Sequence, residues 1–534
     1  MIQQHVGYTF VFLPKLRSMD LFSRSRSNNY LDESEQVGLN GLLLDAEKEL
    51  DDLPNLERDD LQRLIQCAKS LIAPIRRLPP EILTEIFVHY ATENEIGAHT
   101  HIPGLTLAAV SSHWRSMSLT TPALWTTIRI TPAYSYYHAY HMTLLHDILT
   151  RSSNHPLNIC IVFCPLDTFR RLASSPTINF PTLHPAAVLL FGHVARWNTF
   201  QVIDFGYGLR RHSIVNDLAS IRGRLTRLSA FDCCDAGDEF SSLFEGATSL
   251  HSLSVSHLAF SRSSYPWGQI TEFTVSNSET SQIVQALARM DKLNTLNVHY
   301  YIKYPEWNLL DHHTVHPNLN NLNIIIQRDF DQALLENLLN MLTLPNLRSL
   351  RMSIIDPFGT MGMSMSLLSL VPLMERSTPP LTHLSLSRIR IPAEQLLGLL
   401  QSIPTLQELE IMEPSQGCSL PRMLTADFFQ QLHVCHERRL LIPKLSLFDI
   451  DTDIFSVDLQ EEFVKVLRCR CRESNTRDQV GRIDSATLRV RKGTFNDKTI
   501  KALMELGRLG LAVSTVDESG EITVRESAYE LKES

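Results

Sequence analysis

Three histidine clusters are the residues of this 534-residue chain whose types and spacing come nearest to chemistry. His99 with His101, His138 with His141, and Asp311-His312-His313 each put nitrogen or oxygen donors within a few residues of one another. A zinc site needs three or four such donors, usually drawn as two close groups from separate stretches. None of these clusters is matched by a second at ligand spacing, so they read as loop histidines and no metal is expected. The nine cysteines offer only Cys160/Cys164, Cys233/Cys234 and Cys469/Cys471 as close pairs, none with zinc-ribbon or thioredoxin spacing. No phosphate-cradling glycine loop, His-Glu-x-x-His or Gly-x-Ser-x-Gly is present. No catalytic residue and no cofactor can be named, and a hydrolase whose site carries no motif stays open only as a rival reading.

The elements that could position other functions are better marked. The chain is too long for one ordinary core, which implies several domains or one long repeat array. Its 43% apolar and 20% charged residues are those of a globular protein. The net charge of −9, with both signs mixed along the chain, argues against nucleic acid as the main partner. No apolar run is long enough for a membrane span. Scattered thiols and the lack of an Asn-x-Ser/Thr sequon fit the cytoplasm or nucleus. Lys15, Arg17, Arg24 and Arg26 hint at a presequence, but Pro14 and Asp20 interrupt it, so residues 1–38 are expected to be a disordered leader. Over 39–75, Leu50, Leu53, Leu61, Leu64, Ile65, Ala68, Leu71 and Ile72 recur at helical steps, with Pro54 placed to break the run. The pattern suits a helix packed on its own domain better than a coiled-coil seam.

Next, Pro79-Pro80 opens a helix in which Ile82, Leu83, Ile86, Phe87 and Tyr90 form one broad apolar stripe. Leu78-Pro79-Pro80-Glu81-Ile82-Leu83 with Ile86-Phe87 resembles the opening helix of the F-box. Leu107 to Arg115 is similar to its Val-Cys-x-x-Trp helix, with Ser111 in place of the cysteine, and Pro122-Ala123-Leu124-Trp125 resembles its closing aromatic turn. A loop from Ala91 to Pro103 separates the first two pieces, as in the basidiomycete fungal branch of that family. The resemblance covers 76–130. It implies docking onto the Skp adaptor of a cullin–RING ubiquitin ligase through Leu78, Pro79, Ile82, Leu83, Ile86, Phe87, Val110 and Trp114, each of which could instead be core of a helical cap.

Beyond residue 200 the motif apolar-x-x-apolar-x-apolar recurs. It reads Leu225-Leu228-Ala230, Leu250-Leu253-Val255, Ile270-Phe273-Val275, Leu293-Leu296-Val298, Leu319-Leu322-Ile324, Leu347-Leu350-Met352, Leu381-Leu384-Leu386, Leu406-Leu409-Ile411, Leu445-Phe448-Ile450 and Ile483-Ala486-Leu488. The last two positions of each unit lie two apart and so share one face of a strand. Helical stretches between units, such as Gln282–Met290, Asp331–Leu342 and Ala393–Gln401, complete a strand–turn–helix period. The expected fold is therefore α/β: an N-terminal helical F-box module, then an irregular leucine-rich-repeat solenoid over 131–515 with a parallel sheet and outer helices, and a polar tail over 516–534. Residues 131–210 show no clear unit. The position that holds a buried Asn or Cys in regular repeats is filled by Cys233, Leu258, Ser278, Tyr301, Gln327, Ile355, Ile389 and Pro414, so no asparagine ladder is expected there.

Residues flanking the inward pair must face the other way and are the candidate surface for a target protein. They include Ser254, Thr274, Asn297, Asn323, Arg351, Ser385, Glu408, Glu410 and Asp449, small and neutral at first and acidic towards the end. The chain reads as the substrate-recognition subunit of a Skp–cullin–F-box ligase. The nearest rival is a repeat scaffold that keeps an F-box remnant only as a cap.

Overall fold

The structure, a computed structural model, describes residues 20–26, 31–49, 55–97, 100–131, 139–162, 184–203, 219–233, 242–258, 264–300, 313–327, 332–355, 369–389, 391–414, 423–433, 441–453, 455–471, 482–517 and 520–524. The chain divides into two compact units, the second beginning in the main at Arg222. Pro54, His99, His138, Asp311 and His312, like Cys164, Cys234 and Tyr301, lie outside the described residues.

In the first unit the helices Leu21–Arg26, Glu33–Glu49 and Asn55–Ile72 pack on one another. Leu39, Leu43 and Ala46 meet Leu61, Leu64, Ile65, Ala68 and Leu71 in a common core. The helical step of three and four brings exactly such positions to one face, and helical packing within the unit is what the periodicity implied. Order begins earlier than the leader expected over 1–38, however. Leu21 and Leu31 belong to this core, and the helix starting at Glu33 carries it well before residue 39.

A group of shorter helices follows, at Pro80–Tyr90, Pro103–Ala108 and Ser112–Thr120, with a 3-10 turn at Pro122–Trp125. Trp125 is fully buried and donates its indole N–H to the Ser118 carbonyl at 3.0 Å. Gly104 is needed for this packing, because a Cβ there would stand 2.8 Å from the Trp125 ring. The segment expected as a loop contains a strand, β1 (Asn94–Gly97), held by Asn94, whose buried amide donates to the Leu124 and Thr127 carbonyls at 2.9 and 3.0 Å.

Strands β2 (Thr127–Thr131), β3 (Leu157–Val162) and β4 (Trp197–Ile203) continue from β1 as a parallel sheet, with helices Ala139–Arg151 and His184–Phe191 between them. Ile128, Ile159 and Phe200 are register partners, as are Ile130, Ile161 and Val202, and all six are buried. Regular strand–helix structure thus occupies the stretch in which no unit was read.

The second unit carries β5 (Ala230–Cys233), β6 (Ser252–Ser256), β7 (Glu272–Ser276), β8 (Thr295–Tyr300), β9 (Thr314–Val315), β10 (Asn321–Gln327), β11 (Leu342–Thr343), β12 (Ser349–Ile355), β13 (His383–Ser387), β14 (Glu408–Met412), β15 (Leu447–Thr452), β16 (Ser485–Val490), β17 (Ala512–Asp517) and β18 (Gly520–Val524). All but β9 and β11 lie in one sheet in chain order, and every pair is parallel except β17–β18. β9 and β11 pair separately. Helices Thr280–Leu287, Gln332–Met341, Leu370–Ser377, Ala393–Gln401, Ala426–Leu432, Val457–Cys471 and Asp497–Arg508 join the strands; the first four pack one on the next, as do the last three.

Register partners Leu253, Phe273, Leu296, Leu322, Leu350, Leu384, Leu409, Phe448 and Ala486 form one inward row; Val255 to Leu488 form the next. Leu296, Leu350 and Leu409 are 0% exposed and Leu384 is 1% exposed, as the alternation requires. One main-chain carbonyl per unit accepts two successive N–H groups of the next; Thr271 takes Asn294 at 2.8 Å and Thr295 at 3.1 Å, and Asn320 takes Arg348 at 2.8 Å and Ser349 at 2.9 Å. This ladder holds adjacent units in phase.

Two readings need correction. In the first unit of the array, Phe231 and Cys233 are the inward pair, matched to Leu253 and Val255, whereas Ala230 is partly exposed. The motif there is Leu228-Ser229-Ala230-Phe231-Asp232-Cys233, three residues later than first read, so Cys233 is a strand residue and not an Asn-position equivalent. At the other end the polar tail is shorter than drawn, since β18 extends the sheet to Val524.

Candidate functional site

Two surfaces carry the residues singled out above, one in each unit. On the first, Pro80 sits at the start of its helix, where a missing N–H does no harm, and the helix carries two different apolar faces, one buried and one exposed. Leu83 and Phe87, four apart, point inward at 2% and 0% exposure; the Phe87 ring lies 4.7 Å from that of half-buried Trp114. These two therefore serve the unit's own core, and the stripe of eight candidate contacts loses them as surface. Ile82, Ile86 and Tyr90, spaced by four, face outward at 50%, 41% and 49% exposure. Pro79 is exposed and Leu78 half-buried.

Val110 is 54% exposed and, with Ile75, lines a cleft of about 150 Å³ that also takes in Ala73, Leu83 and Trp114. Ser111, which replaces the cysteine of the motif, accepts a hydrogen bond from the Trp114 N–H at 3.2 Å and so caps the helix that presents Trp114. Ile75 and Leu105, exposed at 36% and 37%, extend the apolar surface beyond the residues read from sequence. Water-facing isoleucines in a line are costly on a free surface, and what they can do chemically is bury themselves against another apolar surface.

On the second surface, pairing places Ser254, Thr274, Asn297, Asn323, Arg351, Ser385, Glu410 and Asp449 side by side in a single row across the sheet. Glu408 stands in the row alongside, next to His383. Thr487 and Ser514 continue the main row, which the sequence reading had not reached. Arg351 is exposed and the other seven of its first members are partly exposed, none of them buried, so this face of the strands is reached by solvent. Ser256 and Ser276 are exceptions to the alternation, each buried to 8% exposure.

A side-chain ladder crosses the early strands. Asn323 donates to Asn297 Oδ1 at 2.7 Å, Asn297 donates to Thr274 Oγ1 at 2.9 Å, and Asn321 donates to Thr295 Oγ1 at 3.2 Å. Amides absent from the usual loop position are thus used on the sheet face. At the turn itself, Ser278 does the work of that missing Asn: its hydroxyl accepts from Leu258 N at 2.8 Å and donates to the Ser276 carbonyl at 3.0 Å.

The acidic end is less acidic than its carboxylates alone suggest. Arg489 lies 3.5 Å from Asp449, and Arg491 binds Asp451 at 2.8 Å and Asp453 at 2.7 Å. His383 pairs with Glu408 at 2.9 Å. Burial pushes the Asp449 carboxyl above the usual range, Arg489 opposes this, and Glu410 and Asp451 add to it. Burial likewise holds His299, in the row beside Asn297, below the ordinary histidine range.

Among the described residues no group of three or more His, Cys, Asp or Glu is placed to hold a metal ion, and no helix is long and apolar enough to cross a membrane. No protein-family model matches the chain, and no curated protein is significantly similar to it.

Proposed function

We propose that this chain is the substrate-recognition subunit of a Skp–cullin–F-box ubiquitin ligase, with the Pro80–Tyr90 helix docking the Skp adaptor and the open sheet face binding a target protein. The reading rests on the outward line of Pro79, Ile82, Ile86 and Tyr90, with Val110, on a helix that Leu83 and Phe87 already anchor from the other side. A helix fixed by one apolar face has no folding use for a second exposed one, whereas a partner can bury it at about 25 cal/mol per Å². The role is proximity: the adaptor surface holds the ligase, the sheet face holds the target, and effective concentration replaces chemistry.

Leu83 and Phe87 in the core also favour a second reading, in which these helices only cap a protein-binding scaffold. Co-purification with a recombinant Skp-type adaptor separates the two. Capture of the adaptor by the intact chain supports the ligase reading, and failure under conditions where the chain is folded leaves the scaffold.

A further inference from the structure

We infer that the open sheet face of the second unit selects an extended target segment bearing one acidic and one basic side chain four residues apart, the acid over Arg351 and the base over Glu410 and Asp449. This deepens the reading of that face as the target surface and depends on it.

The first observation is which charges on the face are already used. Glu408 is paired with His383, Asp449 with Arg489 and Asp451 with Arg491, while Glu272 accepts from Ser252 Oγ at 3.3 Å. Arg351 and Glu410 have neither an ion pair nor a hydrogen bond from their side chains among the described residues. They are opposite in sign, lie in the same row and are separated by Ser385 alone. With strands about 4.8 Å apart, Glu410 stands about 10 Å from Arg351 and Asp449 about 14 Å from it. At that distance, comparable with the screening length in physiological salt, Arg351 and Glu410 do little to neutralise each other.

The second observation is the fit of this spacing to a peptide. An extended chain presents alternate residues to one side about every 6.8 Å. A residue over Arg351 is then followed, four residues on, by one about 13.5 Å away, beside Asp449 and about 4 Å beyond Glu410, a span that a long Lys or Arg side chain covers. The residue midway meets Ser385, whose small side chain leaves room. A cation placed there also relieves the repulsion between Glu410 and Asp449. Towards the other edge, the Thr274, Asn297 and Asn323 side chains are bonded to one another. They form an ordered neutral platform between Asp232, which begins the same row and acts on His299, and Arg351, so the charges without a side-chain partner lie at Arg351 and Glu410.

The test uses the full chain and an array of nine-residue Ser/Thr/Gly peptides carrying one Glu and one Lys at every pair of positions, with like-charge peptides as controls. The expected result is at least tenfold tighter binding when the opposite charges are four apart, weakening as salt rises. Arg351→Glu and Glu410→Lys should each abolish that preference, and the double swap Arg351→Glu with Glu410→Arg should restore binding at the same spacing. Melting temperatures matching the parent show that the variants fold. A preference untouched by the reversals, or none for that spacing, overturns the inference. If binding survives the reversals but is lost when Ser385→Trp blocks the face, the charge pair is wrong and the target-surface reading stands. If Ser385→Trp also leaves peptide binding intact, or the parent chain binds no peptide, both are overturned.

Discussion

Replacing Ile82 and Ile86 together by Ala removes most of the outward apolar line of the Pro80–Tyr90 helix without touching its inward face. Each isoleucine is about half exposed, at 50% and 41%. Fully burying an Ile side chain is worth about 1.5–3 kcal/mol, so the remaining half is worth about 0.7–1.5 kcal/mol to a partner. The pair then contributes about 1.5–3 kcal/mol, which is about 10- to 100-fold in Kd. The assay is calorimetric or interferometric titration of a recombinant Skp-type adaptor against parent and double variant. The loss of folding stability should be smaller than for a core truncation, because each side chain is only about half buried. Leu83→Ala is the contrasting control: at 2% exposure its truncation should cost about 2–5 kcal/mol of folding stability. Adaptor affinity within twofold of the parent in Ile82→Ala/Ile86→Ala would refute the docking surface, whatever the fate of the repeat array.

Three further outcomes are expected. Leu350→Ala, at a 0% exposed position between register partners Leu322 and Leu384, should lower the stability of the second unit by about 2–5 kcal/mol in urea denaturation; a loss under 1 kcal/mol would mean the inward row is misassigned. Arg470 is buried, and its guanidinium donates to the Leu432 carbonyl at 3.2 and 3.1 Å, Ile442 at 3.0 Å and Leu441 at 2.8 Å. Arg470→Met strands those three carbonyls at about 1–3 kcal/mol each, so the urea midpoint should fall by the equivalent of about 3 kcal/mol or more, and an unchanged midpoint would show that water or relaxation replaces the clamp.

His299 and His316 are held below the ordinary histidine range, chiefly by burial. The unfolded chain therefore takes up protons first, near pH of about 6.5, and stability should be lost as pH falls from there towards the folded values. Urea midpoints at neutral and mildly acidic pH should differ less in His299→Gln/His316→Gln than in the parent, and equal slopes would contradict the assignment.

Much of the second unit was legible because its signal is dictated by local geometry. Side chains alternate along a strand, so a pair two apart behind a leucine three earlier must share the buried face wherever it recurs, and Leu250 to Leu488 obey this without exception. The same rule picked out the row from Ser254 to Asp449. The stretch before residue 210 hid its units because tryptophan takes the leucine's place: Trp125-x-x-Ile128-x-Ile130 and Trp197-x-x-Phe200-x-Val202 are the same motif with a larger first residue. Leu225-Leu228-Ala230 mimics the motif because Leu228, which begins the true unit, also fits the middle position of a false one.

On the Pro80–Tyr90 helix, periodicity marks an apolar stripe but cannot say that it is two faces. Only the packing of Phe87 on Trp114 turns Leu83 and Phe87 inward and leaves Ile82 and Ile86 to water. Charge pairing lay equally beyond the sequence. Arg489 and Arg491 are about 40 residues from the aspartates they neutralise, and strand register alone brings them alongside. Local order thus follows from side-chain type and spacing, while the free charges and exposed isoleucines that give each surface its use are decided by which neighbours the tertiary fold supplies, since both burial and charge pairing depend on distance in space.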